Sequence, residues 1–348
     1  MFTQYIFFAG FMAVIILMLV LDLGVFHKKD HVIHVKEAAI WTIVWISIAL
    51  LFSLVLYFHA EWVHGITNMD ELREYAQRNG LERLIPQGMD YATALDIYRH
   101  EVTEQYLAGY FLEKALSMDN IFVMIMIFAS FGIDRKYYHR VLFWGVLGAI
   151  VMRFIFIFAL GALIGQFSWV LAIFGAILIY SGAKMFFKKD DDTIDTANHP
   201  IVRFASRHFR VSPTGEGHNF FTHIDGKRYI TPLFLVLLII EFSDVIFAVD
   251  SIPAVFSVTT DAYIVFFSNI FAIMGLRSLF FLISDIADRF WLLKYGLGLL
   301  LCFIGVKMIG HEFLHLEIST MTSLFAILGI LFGSIILSLL IPQKKKAQ

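Results

Sequence analysis

The sequence predicts an all-α polytopic membrane protein with about nine transmembrane helices, six of them forming two inverted three-helix repeats. Three observations carry that expectation. Of 348 residues, 59% are hydrophobic and 16% charged, well beyond the roughly half-apolar make-up of soluble domains. Several stretches reach the roughly 20 apolar residues that cross a bilayer as helix, too long and continuous for barrel strands. A set of charged motifs also recurs, in order, in the second half of the chain.

The spans fall at residues 5–26, 38–59, 104–129, 139–165, 168–187, 231–257, 262–284, 290–310 and 320–341. The first lacks a basic leading region and a small-residue cleavage site, and reads as a retained helix. Of 27 Lys and Arg, eighteen lie in the segments that share one side, and four, all Arg in 60–103, lie on the other. This asymmetry predicts an outside N-terminus and a cytoplasmic C-terminus. The organisation is then 1–103, two helices and an acidic outer loop; 104–188, the first repeat; 189–230, a cytoplasmic linker; 231–310, the second repeat; 311–348, a last helix and basic tail. The outer loop, with eight acids against four arginines, predicts one or two short amphipathic helices. The connector with "KKDDDTID" predicts little structure of its own.

A net charge of −2 supplies no basic field for nucleic acid. One cysteine, Cys302, excludes internal disulfides and thiolate metal clusters. The chain has no G-x-x-x-x-G-K-[ST] phosphate cradle, so transport would draw on an ion gradient or a membrane potential.

"EKALSMDNIFV" (113–123) and "DVIFAVDSIPA" (244–254) each hold an acid, five residues, then Asp, a small polar residue and Ile. One span later "IVMRFIFIF" with Arg153 matches "IMGLRSLFF" with Arg277; a further span on, "YSGAKMF" with Lys184 matches "FIGVKMI" with Lys307. Each unit holds three spans and the connector none, so the second unit enters from the opposite face. That is the inverted repeat of many secondary transporters, whose substrate site lies near the midplane between repeats.

The acids within spans are Asp22, Glu113, Asp119, Glu241, Asp244 and Asp250; the bases are Lys114, Arg153, Lys184, Arg277 and Lys307. A charge at a helix centre costs about 2.5–3.5 kcal/mol on insertion scales, so these acids must pair, protonate or bind a cation. Lys184 and Lys307 near span ends can snorkel, leaving Lys114, Arg153 and Arg277 for the deep acids and an excess of negative charge. Glu113, Ser117 and Asn120 share a helix face. Pro253 removes the hydrogen bond to the Val249 carbonyl and predicts a kink beside Asp250 and Ser251. Carboxylates, amide, hydroxyl and carbonyl oxygens suit Mg²⁺, Ca²⁺ or Mn²⁺. Asn269 would add an oxygen or a helix–helix hydrogen bond. Asp22 would be a ligand at the mouth of the pathway or an ion pair with Lys28 and Lys29. The plainer alternative is that acids and bases form structural salt bridges.

Two further patterns compete. "HEFLH" (311–315) matches the H-E-x-x-H of zinc proteases, without a shielded helix or a third ligand. His27, His31 and His34 share helical spacing, which fits a solvated interfacial face.

"EKALSMDNIFV", "EFSDVIFAVDSIPAVFSVT", "LDLGVFHKK" and "GLRSLFFL" together resemble the TerC family of bacterial inner-membrane proteins, named for tellurium resistance. The resemblance implies a relative of LysE-type transporters associated with manganese export and metal homeostasis. It carries metal-site roles onto Glu113, Asp119, Asn120, Glu241, Asp244 and Asp250. The expectation is export of Mn²⁺, with Ca²⁺ satisfied by the same oxygen ligands, no resident cofactor and no enzymatic activity. Asp119 and Asp250 would be midplane ligands, and Arg153 and Arg277 would orient or release the acids. The second hypothesis is a scaffold in a tellurite or metal-stress complex, with a protein partner on loop 188–230. The third is a zinc protease acting through His311 and Glu312.

Overall fold

The computed structural model describes residues 2–26, 35–167, 169–187, 200–212, 219–224, 226–284, 290–314, 316 and 318–341. Almost all of it is helix, as an apolar environment demands when every backbone N–H and C=O must find a partner within its own segment. Seven helices are long and apolar enough to cross a membrane: α1 (Phe2–Phe26), α2 (Val35–His59), α6 (Tyr138–Gln166), α7 (Val170–Phe187), α9 (Pro232–Phe256), α12 (Leu293–Leu314) and α13 (Thr320–Leu340). An eighth crossing is a bent pair, α10 (Ala262–Met274) and α11 (Leu276–Ser284), which meet at 43°. The span expected at 262–284 is therefore broken at Gly275. A count of nine requires α5 (Tyr91–Ser130), whose apolar half carries Glu113, Lys114 and Asp119.

Helix α5 also begins earlier than the expected residue 104. Asp90 caps it by accepting from the Thr93 N–H at 3.0 Å, and its 40 residues span roughly 60 Å at 1.5 Å per residue, twice the bilayer core. Its first turns bury Ala94, Tyr98 and Val102 against a cap made by α3 (Glu61–His64) and α4 (Met69–Arg78). The acidic loop, expected to form one or two short helices, forms two. Asn68 caps α4 through the amides of Asp70 and Glu71.

The connector is more ordered than its composition suggested. It forms α8 (Pro200–His208) and a hairpin, β1 (Phe221–Ile224) and β2 (Lys227–Ile230), with Phe221 opposite Ile230. Gly226, at φ 71°, makes the left-handed turn. Ala205 and Ile230 bury against Leu235 of α9, with Phe131, Val211 and Phe234 around them. Short as these elements are, an apolar anchor on α9 orders them.

Helix α1 buries one stripe, Phe11, Ile15 and Met18, at the i, i+4, i+7 spacing of a single helix face. Phe11 packs tilted against Phe267 of α10 with ring centroids 4.3 Å apart, and the Phe52 ring of α2 lies 4.8 Å from that of Phe271. These aromatics fasten α1 and α2 to the first half of the broken span.

In the centre, α5 packs on α9 and α10, α6 on α9, and α7 most extensively on α12. The last pair crosses at reciprocal glycines: Gly175 faces Gly305 and Gly182 faces Gly298. A Cβ at any of the four would lie 2.5–2.9 Å from the opposing carbonyl oxygen, closer than real Cβ atoms come. Small residues here let two backbones touch, which drives association where lipid removes the hydrophobic contribution. The match of "YSGAKMF" with "FIGVKMI" extends upstream to Gly175 and Gly298, giving G-x₆-G-x-K in both α7 and α12, an extension the sequence reading missed.

Candidate functional site

The intramembrane charges divide into two clusters. In the first, Arg153 of α6 is 1% exposed and its Nη1 donates to Glu113 Oε1 of α5 and to Asn269 Oδ1 of α10 at 2.6 Å. Its Nη2 donates to Asp244 Oδ1 of α9 at 3.4 Å. Asn269 Nδ2 closes the ring by donating to Glu113 Oε2 at 3.1 Å. Four helices are tied by one guanidinium, whose fixed fork suits two carboxylates at once. Asn269 is therefore a helix–helix hydrogen bond, the second of its two readings. With both carboxylates ionised the cluster keeps one negative charge in excess. Asp244 Oδ2 is buried with no hydrogen-bond partner among the described residues.

The second cluster is a small cavity, about 40 Å³, lined by Asp119 and Asn120 of α5 and Asp250 and Ser251 of α9. Its remaining walls include Met185 of α7 and Leu297 and Leu301 of α12. One water needs about 10–15 Å³, so there is room for a small ion with part of its hydration. Ser181 of α7, not anticipated from sequence, donates to Asp250 Oδ1 at 3.2 Å. The Ser251 hydroxyl is buried without a hydrogen-bond partner among the described residues. The recurring Asp-plus-polar pair of each half thus meets its counterpart in a single space.

The six expected metal residues do not form one cage. Among the described residues no three His, Cys, Asp or Glu side chains converge as a ready metal site. Glu113 and Asp244 sit on Arg153; Asp119, Asn120 and Asp250 line the cavity; Glu241 points at α6, its carboxylate occupying the space a side chain at Gly148 would need. The helix spacing explains the partition, since positions six apart point about 120° apart. Arg277 of α11 is as buried as Arg153, matching its expected depth. Helix α9 runs through Pro253 unbroken to Phe256, so the proline falls in its last turn and no span break forms there.

One lysine differs from expectation. Lys114 donates its Nζ not to an acid but to the Ala272 carbonyl of α10 at 3.2 Å, beside Gly275, complementing the negative end of the half-helix. Lys307 donates to Ser323 Oγ in the first turn of α13 at 2.8 Å, and Lys184 is exposed. The side chain of Asp22 and residues His27, His31, His34 and His315 lie outside the described set. His311 is exposed at the end of α12.

A further polar network, missed in sequence, fastens the cap to the bundle. Asp261 caps α10 through the Tyr263 N–H at 2.9 Å, accepts from Tyr75 of α4 at 2.8 Å and pairs with His64 Nε2 of α3 at 2.8 Å. Nδ1 of His64 meets the Tyr98 hydroxyl of α5 at 2.7 Å. Burial acts to raise the Asp261 carboxyl, but His64 and these hydrogen bonds outweigh it and hold it below the usual carboxylate range. A depressed carboxyl adds stability above its unfolded value and loses it as pH falls through the folded value. Asp261→Asn is expected to cost about 1–3 kcal/mol at neutral pH, and the extra acid-induced exchange of amides 60–80 expected of wild type should be absent from it. Hydrogen exchange against pH reads both; unchanged acid sensitivity in the variant would assign it elsewhere.

Fold and site together define an all-α, multi-pass membrane protein that holds a paired set of carboxylates inside its bundle. The chain belongs to the TerC family: the model of the "Integral membrane protein TerC family" matches residues 98–346. It is 41% identical over 333 residues to the "Putative membrane-bound redox modulator Alx" of Salmonella typhi, covering 95% of this chain and 92% of that protein. It is 41% identical over 334 residues to the "Uncharacterized membrane protein STKORF319" of Myxococcus xanthus, covering 95% and 91%. The Escherichia coli K12 protein with the Alx designation is 39% identical over 333 residues, covering 95% and 92%. No solved structure matches.

Proposed function

We propose that the chain is a secondary transporter of a hard divalent cation, Mn²⁺ foremost, exporting it from the cytoplasm through the cavity between α5 and α9. The observation that carries this reading is the meeting of Asp119 and Asn120 with Asp250 and Ser251 in one space. Two carboxylates and two neutral oxygens suit a hard cation, and an incomplete cage suits cargo that has to leave again. The pairing of α5 with α10, α6 with α9 and α7 with α12, with reciprocal glycines at the last crossing, is what exchanging two inverted repeats would generate. Direction and metal follow the family resemblance, as does the bacterial inner membrane; the outside N-terminus follows the asymmetry of Lys and Arg between segments.

The carboxylates of the Arg153 cluster tune the cavity from six residues, about 9 Å, along the same helices, and protons returning through acids no longer holding metal supply the drive. The relatives' designation as redox modulators carries over as an effect of altered metal content, since a lone Cys302 gives the chain no thiol pair of its own. Element-by-element metal content of cells under manganese load tests the reading. Cells with the chain should hold less manganese than cells without it, other divalent metals changing less. Equal manganese would end it.

A further inference from the structure

Helix α8 does more than pack on α9. Only Ala205 of its second turn is fully buried. Arg203 and Arg207, at i and i+4 on α8, and Arg210 just past its end are exposed, and beside them Phe204 and Phe209 are 58% and 49% exposed. The hairpin continues the same chemistry: Phe221 is 37% exposed with the Arg228 guanidinium 4.0 Å above its ring. No Asp or Glu stands among the described residues of 200–230.

Position gives the surface its meaning. Phe131, one residue past the end of α5, and Leu235 in the first turn of α9 pack against Ala205 and Ile230, so the platform sits where two helices leave the apolar layer. Arg140 at the start of α6 lies 5.1 Å over the Phe220 ring and extends the basic field. Exposed phenylalanines in water invite aggregation. At a bilayer boundary the same rings insert among acyl chains while flanking arginines take up phosphates, which they grip in bidentate fashion.

We propose that α8 and the β1–β2 hairpin form an interfacial platform that binds anionic phospholipid of the bilayer holding the chain. Phe204, Phe209 and Phe221 enter the acyl boundary, and Arg203, Arg207, Arg210 and Arg228 hold headgroup phosphates. Because the platform is built on α9, lipid charge acts on the helix that carries Asp244 and Asp250.

The full-length chain with Cys302→Ala and Phe204→Cys, spin-labelled, tests this in vesicles of phosphatidylcholine with or without phosphatidylglycerol. With phosphatidylglycerol the label should become several-fold more accessible to oxygen relative to a nickel chelate, and high salt should reverse the gain. Adding Arg203→Gln, Arg207→Gln and Arg210→Gln should remove it, while a control label at Phe325, exposed on α13, stays lipid-immersed. The proposal falls if the label remains in water, if immersion ignores phosphatidylglycerol or salt, or if the label is shielded from both reagents, which signals a protein partner.

Discussion

Replacing Arg153 with Met is expected to destabilise the protein by about 3–5 kcal/mol, the penalty for leaving buried carboxylates without their countercharge. Arg153 is the shared partner of Glu113 and Asp244, and neither carboxylate is more than 6% exposed. In water each would be rehydrated; within the bundle each has to protonate or pull the helices apart. The loss should show as a steep fall in melting temperature in detergent and in reduced membrane content. Combining Arg153→Met with Glu113→Gln and Asp244→Asn should recover most of it, because neutral amides restore the balance of charge. If the single variant melts with wild type, the guanidinium is not what holds these acids. If the triple variant melts with the single one, lost packing rather than stranded charge is responsible.

Asp119→Asn and Asp250→Asn are each expected to lower the proposed manganese export at least about tenfold, a loss near 1.4 kcal/mol in the limiting step. The cavity is lined by two carboxylates, and either amide halves the formal charge while nearly preserving shape. Glu241→Gln should cost far less, since Glu241 faces Gly148 of α6 and not the cavity. The double variant should be little worse than either single one, because one carboxylate is already too few. The readout is efflux of radioactive manganese from preloaded cells at matched expression. A Glu241 variant as impaired as the Asp250 variant would move the ion path to the α6 side of α9.

Much of this architecture was legible in sequence because a bilayer imposes long apolar runs and a high penalty on every exception. The spans and the paired acidic motifs could be found from those demands alone. What escaped depended on contacts between residues far apart in the chain. Gly275 looks like any membrane glycine until Lys114, more than 150 residues away, is seen on the carbonyl beside it. The acids could be recognised as a group, and their six-residue spacing turns Glu113 about 120° from Asp119, but which of the two meets an arginine and which a cavity is decided by helices far away in the chain. The connector was misjudged for the opposite reason: its composition is polar, and one alanine and one isoleucine seat it on α9. Asp261 ends a short polar turn, and nothing local announces that His64 and Tyr75 will converge on it.

The seam at Gly175, Gly182, Gly298 and Gly305 limits how the molecule can move. Two backbones in direct contact at two levels behave as one beam: α7 and α12 cannot slide past each other by a turn without driving carbonyl oxygens into side chains. This beam supplies Met185, Leu297 and Leu301 as one wall of the cavity, while Asp119 and Asp250 stand on helices outside it. An ion would therefore be passed across a stationary wall by shifts of α5 and α9 against it, with the 43° joint between α10 and α11 absorbing the displacement.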